Sequence, residues 1–346
     1  MEKTVPLKDK ENISIELLNK LLSNDSIDIA KIIGITRFPG GYSNLTYCIS
    51  TTEKQYVLRT PPPGAHIKSA HDMSREFKVL SLLKPHFSKV PSPIYFCEDA
   101  SLLGAPFYIM EKIEGTILRA YNAPKLNLSP TIYETLSEKL IDTLSELHAI
   151  DIDTTGLIQL GKPAGYVTRQ VEGWIKRYYT AETDTIESMN ATAQWLQSFQ
   201  PIEQAPALLH NDFKYDNVML AENNFTKIVG VLDWEMATVG DPLMDVGAML
   251  AYWFEEGEGD VFKNYNLTWL PGNYTREQLI DRYAKNTGRN LRDIQFYYVF
   301  GLFKNAVIAQ QIYHRFKQGN SSDARFGALL PMIQLLGAKA EGEMNK

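Results

Sequence analysis

The residues with the clearest chemical potential lie in one short run, His210-Asn211-Asp212-Phe213-Lys214-Tyr215-Asp216-Asn217. A second polar cluster follows within the next segment, Val231-Leu232-Asp233-Trp234-Glu235. Together they hold what phosphoryl transfer needs. That reaction asks little covalent chemistry of a protein. It asks for a carboxylate to orient the attacking hydroxyl, oxygen ligands for a metal, and cations against the phosphates. Asp212, Asn217 and Asp233 offer oxygens of the hard type that magnesium prefers. Lys214, two residues beyond Asp212, can reach a transferring phosphoryl group. Any one of these side chains alone reads as a solvated loop residue; the combination carries the signal.

The first run resembles the H-x-D-x-K-x-x-N catalytic loop of the protein-kinase superfamily, and more closely that of the aminoglycoside phosphotransferase and choline kinase branch. The resemblance implies Asp212 as catalytic base, Lys214 as the partner of the γ-phosphate, and Asn217 and Asp233 as magnesium ligands. It implies ATP or GTP, with Mg2+, as cofactors. It also implies an α+β, bilobal protein-kinase-like fold, with a small antiparallel-sheet N-lobe and a larger, mainly helical C-lobe. Tyr56-Val57-Leu58-Arg59 stands where that family has its phosphate-binding strand. Strand parity puts Val57 and Arg59 on one face; Val57 would then cover the adenine while Arg59 meets the phosphates. The family usually has lysine there. Arginine keeps the charge and can grip phosphate oxygens with two nitrogens, with a different reach. Glu76, in the helix that follows, is the expected carboxylate partner of Arg59, with a surface ion pair as the plainer role.

Other segments fit by position. Pro39-Gly40-Gly41-Tyr42-Ser43-Asn44 occupies the place of a phosphate-covering loop, which makes Gly40, Gly41 and Ser43 nucleotide-binding candidates, although alone it reads as a hairpin turn. Phe107 to Gly115 resembles the strand-to-hinge segment, with the Glu111 carbonyl and the Ile113 N–H as adenine partners and Met110 behind them. Asp241, followed by Pro242, reads equally as a helix N-cap or as the anchor of the catalytic loop, with Asp245 taking the other role. His148 reads as a helix-dipole partner, and His210 as a brace of the loop.

Two departures and one further likeness bear on the substrate. Only Trp234 to Gly240 separate Asp233 from Asp241, which leaves no room for the segment that grips a protein substrate. Glu235 stands where Asp-Phe-Gly has glycine, as a second metal ligand or a solvent-facing carboxylate. Tyr56 to Gly64, Gly161 to Trp174 and Tyr297 to Gly319 resemble the kinase-like domain found in or beside long-chain acyl-CoA dehydrogenases. That likeness implies a hydroxylated acyl compound as acceptor. The acceptor side would then offer Arg169, Trp174, Arg177, Tyr178, Tyr297, Tyr298 and Lys304.

The elements that must position these groups are legible as patterns. Residues 14–24 read as a leading helix. Strands are expected at Ile32 to Phe38, Asn44 to Ser50, Gln55 to Arg59, Ile94 to Cys97 and Phe107 to Met110, with a helix from about Ala70 to Leu83. Helices dominate from Glu114 on. One carries the stripe Ile132, Leu136, Leu140, Leu144 and Leu147, and another runs from Leu291 to Phe316. Short strand-like pieces fall at 208–209, 218–220 and 229–232. The expected division is an N-terminal helical extension over 1–27, a nucleotide-binding lobe over 28–112 and a catalytic and substrate-binding lobe over 113–346.

Composition bounds the rest. The 346 residues are 44% hydrophobic and 22% charged, an ordinary globular balance. A net charge of -6 disfavours nucleic-acid partners. Two cysteines, Cys48 and Cys97, provide neither a disulfide framework nor a thiolate zinc site. With no leader-like start and no apolar run of spanning length, a cytoplasmic protein with no membrane partner is expected. The partner would be a small-molecule hydroxyl acceptor, and nothing in the sequence sets an oligomeric state. The competing reading is a nucleotide-binding pseudokinase acting as an interaction module, motivated by Arg59. A hydrolase lacks its G-x-S-x-G elbow.

Overall fold

The computed structural model describes residues 4–7, 13–39, 44–62, 72–199, 201–319, 323–344 and 346. In chain order the elements begin with α1 (Ile15–Asn24), β1 (Ile32–Arg37), β2 (Leu45–Thr51), β3 (Gln55–Thr60), α2 (Met73–Leu83), β4 (Pro93–Cys97), β5 (Phe107–Glu111) and β6 (Thr116–Ile117). They continue with α3 (Pro130–His148), α4 (Tyr166–Thr180), α5 (Glu187–Ser198), β7 (Ala207–Leu209), β8 (Val218–Ala221), β9 (Asn224–Val231) and β10 (Thr238–Gly240). The chain closes with α6 (Pro242–Tyr252), α7 (Asp260–Lys263), α8 (Arg276–Thr287), α9 (Ile294–Lys317), α10 (Ala324–Gly327) and α11 (Leu330–Glu343). Two compact units result. The first comprises Met1–Ile117, Thr155–Leu157 and Asn217–Ala237; the second comprises Leu118–Thr154, Ile158–Asp216 and Thr238–Lys346. The return of Asn217–Ala237 to the first unit departs from the sequence-order division expected above, because β8 pairs with β6.

The first unit is built on an antiparallel five-stranded sheet in the order β1-β2-β3-β5-β4. Alternation decides its two faces. Tyr47 and Ile49 of β2, Tyr56 and Leu58 of β3, and Phe107 and Ile109 of β5 point to one side, where Leu18 and Leu22 of α1 complete an apolar cluster. Leu18 and Leu22 are buried to 1% and 3% exposure, worth roughly 2 kcal/mol each in area removed from water. The leading helix is therefore part of this core rather than an appendage. Ser14 caps it by accepting from the Leu17 N–H. The remaining residues of the same strands, Val57, Arg59, Tyr108 and Met110, face the other way.

The second unit is mainly helical. Its centre is α9, which is apolar around most of its circumference, as a helix enclosed by others must be. It packs against α6, α11, α4 and α5. Glycine makes the α6 contact close: a Cβ on Gly247 would stand 2.3 Å from the Tyr297 carbonyl oxygen, and one on Gly301 would stand 2.5 Å from that of Gly247. Helix α9 spans Ile294–Lys317 and α2 starts at Met73 behind an Asp72 cap, each a little later than the sequence expectation. Among the described residues no helix is long and apolar enough to cross a membrane.

Candidate active site

In the first unit the face opposite α1 gathers charge. Arg59 is buried, and its Nη1 donates to Glu76 Oε1 at 2.7 Å. Its Nη2 donates to Asp233 Oδ1 at 3.1 Å and stands 3.7 Å from Glu235 Oε2. Burial raises the Glu76 carboxyl above its usual range, and Arg59 opposes that shift. Burial would lower the Arg59 pKa, but Glu76, Tyr108, Asp233 and Glu235 together hold it well above ordinary. The strand parity read from sequence is therefore observed, and so is the Arg59–Glu76 pair. Val57 lies across from Met110 in the β3–β5 ladder.

Asp233 has φ 68 and ψ 64, the left-handed region that aspartate enters more readily than most residues. That twist starts the short 3-10 turn Trp234–Met236. Trp234 is buried, bonded through its Nε1 to the Val231 carbonyl at 2.9 Å and edge-on to Phe87. Arg75 of α2 binds the Ala237 carbonyl at 2.8 Å. Val218 pairs with Val231, and the Leu232 N–H donates to the Asn217 carbonyl at 2.8 Å. Asn217 and Asp233 thus leave the β8–β9 hairpin at the same end.

The donor set there suits magnesium. Asp233 and Asn217 provide a carboxylate and an amide oxygen, with Glu235 beside them. Among the described residues no group of three or more His, Cys, Asp or Glu side chains could hold a metal by itself. Magnesium commonly takes one or two protein carboxylates and completes its shell with water and phosphate oxygens. Glu235 is not solvent-facing, as one expectation had it: its side chain is 14% exposed and accepts from Asn44 Nδ2 at 2.9 Å. Asn44 enters the sequence reading only as the end of the glycine-containing run, where nothing points to its bond with Glu235. Gly40, Gly41 and Ser43 lie outside the described residues.

At the end of β5 the Glu111 carboxylate turns toward Ser92, accepting from its N–H at 3.2 Å and its Oγ at 2.8 Å. The Ile113 side chain lies over Gly230, where a Cβ would meet its Cδ1 at 2.8 Å.

In the second unit β7 pairs with β10 and delivers the chain to the loop starting at His210. Asp245, fully buried on α6, accepts from the His210 N–H at 2.6 Å and the Asn211 N–H at 2.8 Å. Burial pushes the Asp245 carboxyl up, but bonds and charge from His148 and His210 hold it below the usual range. Asp241 takes the other role: its carboxylate caps α6 at the Leu243 N–H, 2.8 Å away, and accepts from the Tyr297 hydroxyl at 2.8 Å. His148 does more than face a helix end. It is buried between Asp245 at 3.2 Å and the Tyr283 hydroxyl at 2.7 Å. His210 braces the loop, its Nδ1 standing 3.3 Å from the Asp212 N–H.

Asp212 is held by Lys214, whose Nζ reaches its two carboxylate oxygens at 2.8 and 2.9 Å. Burial raises the Asp212 carboxyl, but Lys214, Lys304 and His210 bring it below its ordinary value. Burial lowers the Lys214 ammonium, and Tyr252 and Asp212 more than reverse this. The Tyr252 ring lies 4.3 Å from Lys214 Nζ; no sequence signal joined these two distant residues. The expected acceptor wall needs correction. Tyr178, Tyr297 and Tyr298 are buried in the helical packing, and Tyr297 is occupied by Asp241. Arg169 folds back onto the carbonyls of Lys162 and Ala164. Trp174, Arg177 and Lys304 do cluster, both cations lying over the Trp174 ring at 4.8 and 5.7 Å.

Residues 34–283 match the phosphotransferase enzyme family. Acyl-CoA dehydrogenase family member 11 of Rattus norvegicus is 33% identical over 309 residues, covering 88% of this chain and 39% of the relative. Acyl-CoA dehydrogenase family member 10 of Mus musculus is 35% identical over 294 residues, covering 84% and 27%. The chain thus spans well under half the length of these relatives. Among solved structures, an inferred aminoglycoside phosphotransferase from Ralstonia eutropha has a TM-score of 0.82 at 27% identity, over 96% of this chain and 99% of that one. Two phosphotransferases, one solved with GDP and kanamycin and one with ADP and spectinomycin, share the fold at 15% identity each. Their TM-scores are 0.63 and 0.61, over 94% and 95% of this chain and 99% and 98% of theirs.

Proposed function

This chain belongs to the phosphotransferase enzyme family, and from that premise we propose that it moves the γ-phosphoryl group of ATP or GTP onto a hydroxyl of a small molecule. The carrying observation is the Arg59 guanidinium, held at once by Glu76 and Asp233. A phosphate-facing cation needs a buried carboxylate to fix it and a metal ligand beside it, and arginine supplies both contacts here. Asp212 is the general base, kept ionised by Lys214. Asn217 and Asp233, with Glu235 beside them, are the ligands for Mg2+, which when bound neutralises charge on the transferring phosphates. Lys214 turns from Asp212 to the γ-phosphate. Val57, Glu111, Ile113 and the loop with Gly40, Gly41 and Ser43 are the nucleotide contacts.

For the acceptor we propose a hydroxyacyl compound. The names of the long relatives support this, as does the exposed Arg177 guanidinium beside the Trp174 ring in the second unit; an aminoglycoside would call for carboxylates there instead. The reading as a nucleotide-binding interaction module drew on Arg59, and the double pairing of Arg59 supports the active reading over it. The test is a panel of hydroxyacyl compounds, free and as thioesters, incubated with γ-labelled ATP and, separately, GTP. Label on a hydroxyacyl compound is expected. Nucleotide binding with no label on any acceptor and no slow hydrolysis would favour the interaction module.

A further inference from the structure

Asn211 is a non-glycine residue in the left-handed region, with φ 64, immediately before Asp212. Such a backbone holds its shape only where its surroundings enforce it. Three helices do so. Asp245 of α6 takes the Asn211 N–H at 2.8 Å. Tyr166 of α4 donates its hydroxyl to Asn211 Oδ1 at 3.3 Å. Lys304 of α9 donates its Nζ to the Asn211 carbonyl at 2.8 Å.

The last contact is the unusual one. A carbonyl needs only a neutral donor, yet the donor is an ammonium with 4% exposure, and burying a charge is expensive. Among the described residues no carboxylate pairs with it directly. Its compensation comes from further off, from Asp212 and Asp245, against Lys214 and Arg177, while burial itself lowers its pKa. Asp212 in turn is faced by Lys214, Lys304, His210 and Tyr252. A cation at this point binds the strained peptide and also lies in the field of the Asp212 and Asp245 carboxylates.

We propose that Lys304 is a positioning residue for phosphoryl transfer, clamping the left-handed Asn211 peptide and thereby fixing the direction of the adjacent Asp212 carboxylate. This rests on the assignment of Asp212 as base. Lys304→Met keeps the side chain's bulk and removes the donor and the charge.

Two measurements on the whole chain test it. Amide exchange of the segment from Leu209 to Lys214 should quicken about tenfold or more in the variant, while the rest of α6 and α9 keeps its protection. Turnover should show kcat reduced about 10²-fold, with the nucleotide KM within about twofold, because orientation is lost and nucleotide binding is not. Lys304→Gln, uncharged and one atom too short to span the same distance to the Asn211 carbonyl, serves with the same two readings if the Met variant does not fold. Unchanged loop protection overturns the proposal, and so does a KM rising in step with the fall in kcat. A wild-type chain with no turnover would sink the phosphotransferase reading instead, and the exchange comparison alone would then decide the clamp.

Discussion

Arg59 Nη1 lies 2.7 Å from Glu76 Oε1 while its Nη2 lies 3.1 Å from Asp233 Oδ1, so one guanidinium joins the carboxylate of α2 to the carboxylate that follows β9. A planar fork can make both bonds at once; an ammonium is a point donor without that geometry. Arg59→Lys is expected to keep turnover within about tenfold, since the charge remains. Arg59→Met should do far worse, because it strands Glu76 in the interior, at a cost of about 3 kcal/mol in stability. The sign with pH follows. Glu76 already sits above its ordinary range, and without Arg59 it rises further. A raised carboxyl stabilises fully below its unfolded value and ceases to do so as pH rises through the folded one. Chemical denaturation of Arg59→Met should therefore show a smaller deficit at pH 5 than at pH 8; an equal deficit at both would contradict the account.

Asp233→Asn keeps the shape and the tolerance for φ 68 while removing the charge. Binding of Mn2+, followed by electron paramagnetic resonance in the presence of a non-hydrolysable nucleotide, should weaken tenfold or more. An unchanged manganese affinity in the folded variant would remove Asp233 from the metal's ligand set.

How much of this was legible in sequence depends on chain separation. The loop from His210 to Asn217 and the Asp233 cluster are local patterns, and β3 declares its faces by alternation, so the sequence alone places Val57 and Arg59 together. Glu76 was reachable as the helix partner of Arg59. Asp241 and Asp245 were recognised as a pair with two roles, but which did which depended on the turn of α6 that faces β7. The contacts that organise Asp212 and its neighbours were not legible. Lys304 lies 93 residues from Asn211 along the chain, and Tyr252 meets Lys214 across a gap that no periodicity spans. Tyr297 and Tyr298 misled for the converse reason: their polar ends suggested a ligand wall, whereas α9 is the central helix of its unit and buries them. The return of β8 and β9 to the first unit is likewise a property of pairing with β6, which is two residues long and carries little pattern of its own.

Glu258 is an electrostatic pin of the second unit. Arg276 of α8 meets it at 2.5 Å and Lys339 of α11 at 2.6 Å. Burial would raise this carboxyl, but those two cations bring it down to about 2. Its contribution is present above its unfolded pKa and is lost as pH falls through the folded one. The chain should therefore lose about 2–3 kcal/mol from this group between roughly pH 5 and 2. Glu258→Gln should be destabilised at pH 7 by a similar amount and show a flatter acid limb. A variant whose denaturation midpoint tracks wild type over the whole range would refute the pin.

Gly247→Ala tests the close crossing of α6 and α9. The added methyl would fall 2.3 Å from the Tyr297 carbonyl oxygen, a backbone atom that cannot swing aside. Overpacking of this kind costs about 1–3 kcal/mol or more, and because α6 carries Asp245, slackening of the loop that starts at His210 should accompany it. A thermal midpoint equal to that of wild type would show that the helices separate freely there.

The central claim is that Asp212 acts as a base toward an acceptor hydroxyl, and Asp212→Asn tests it most directly. Asparagine keeps the size and hydrogen-bonding reach, and Lys214, which rests on both carboxylate oxygens, keeps one acceptor. What disappears is the charge and the proton acceptor. The measurement is single-turnover phosphoryl transfer from saturating magnesium nucleotide, or nucleotide hydrolysis where no acceptor is yet in hand, alongside nucleotide affinity by calorimetry. The account predicts a rate lower by roughly 10²–10⁴-fold, with nucleotide affinity changed by less than about threefold because the base faces the acceptor. Near-wild-type turnover by folded Asp212→Asn would contradict it.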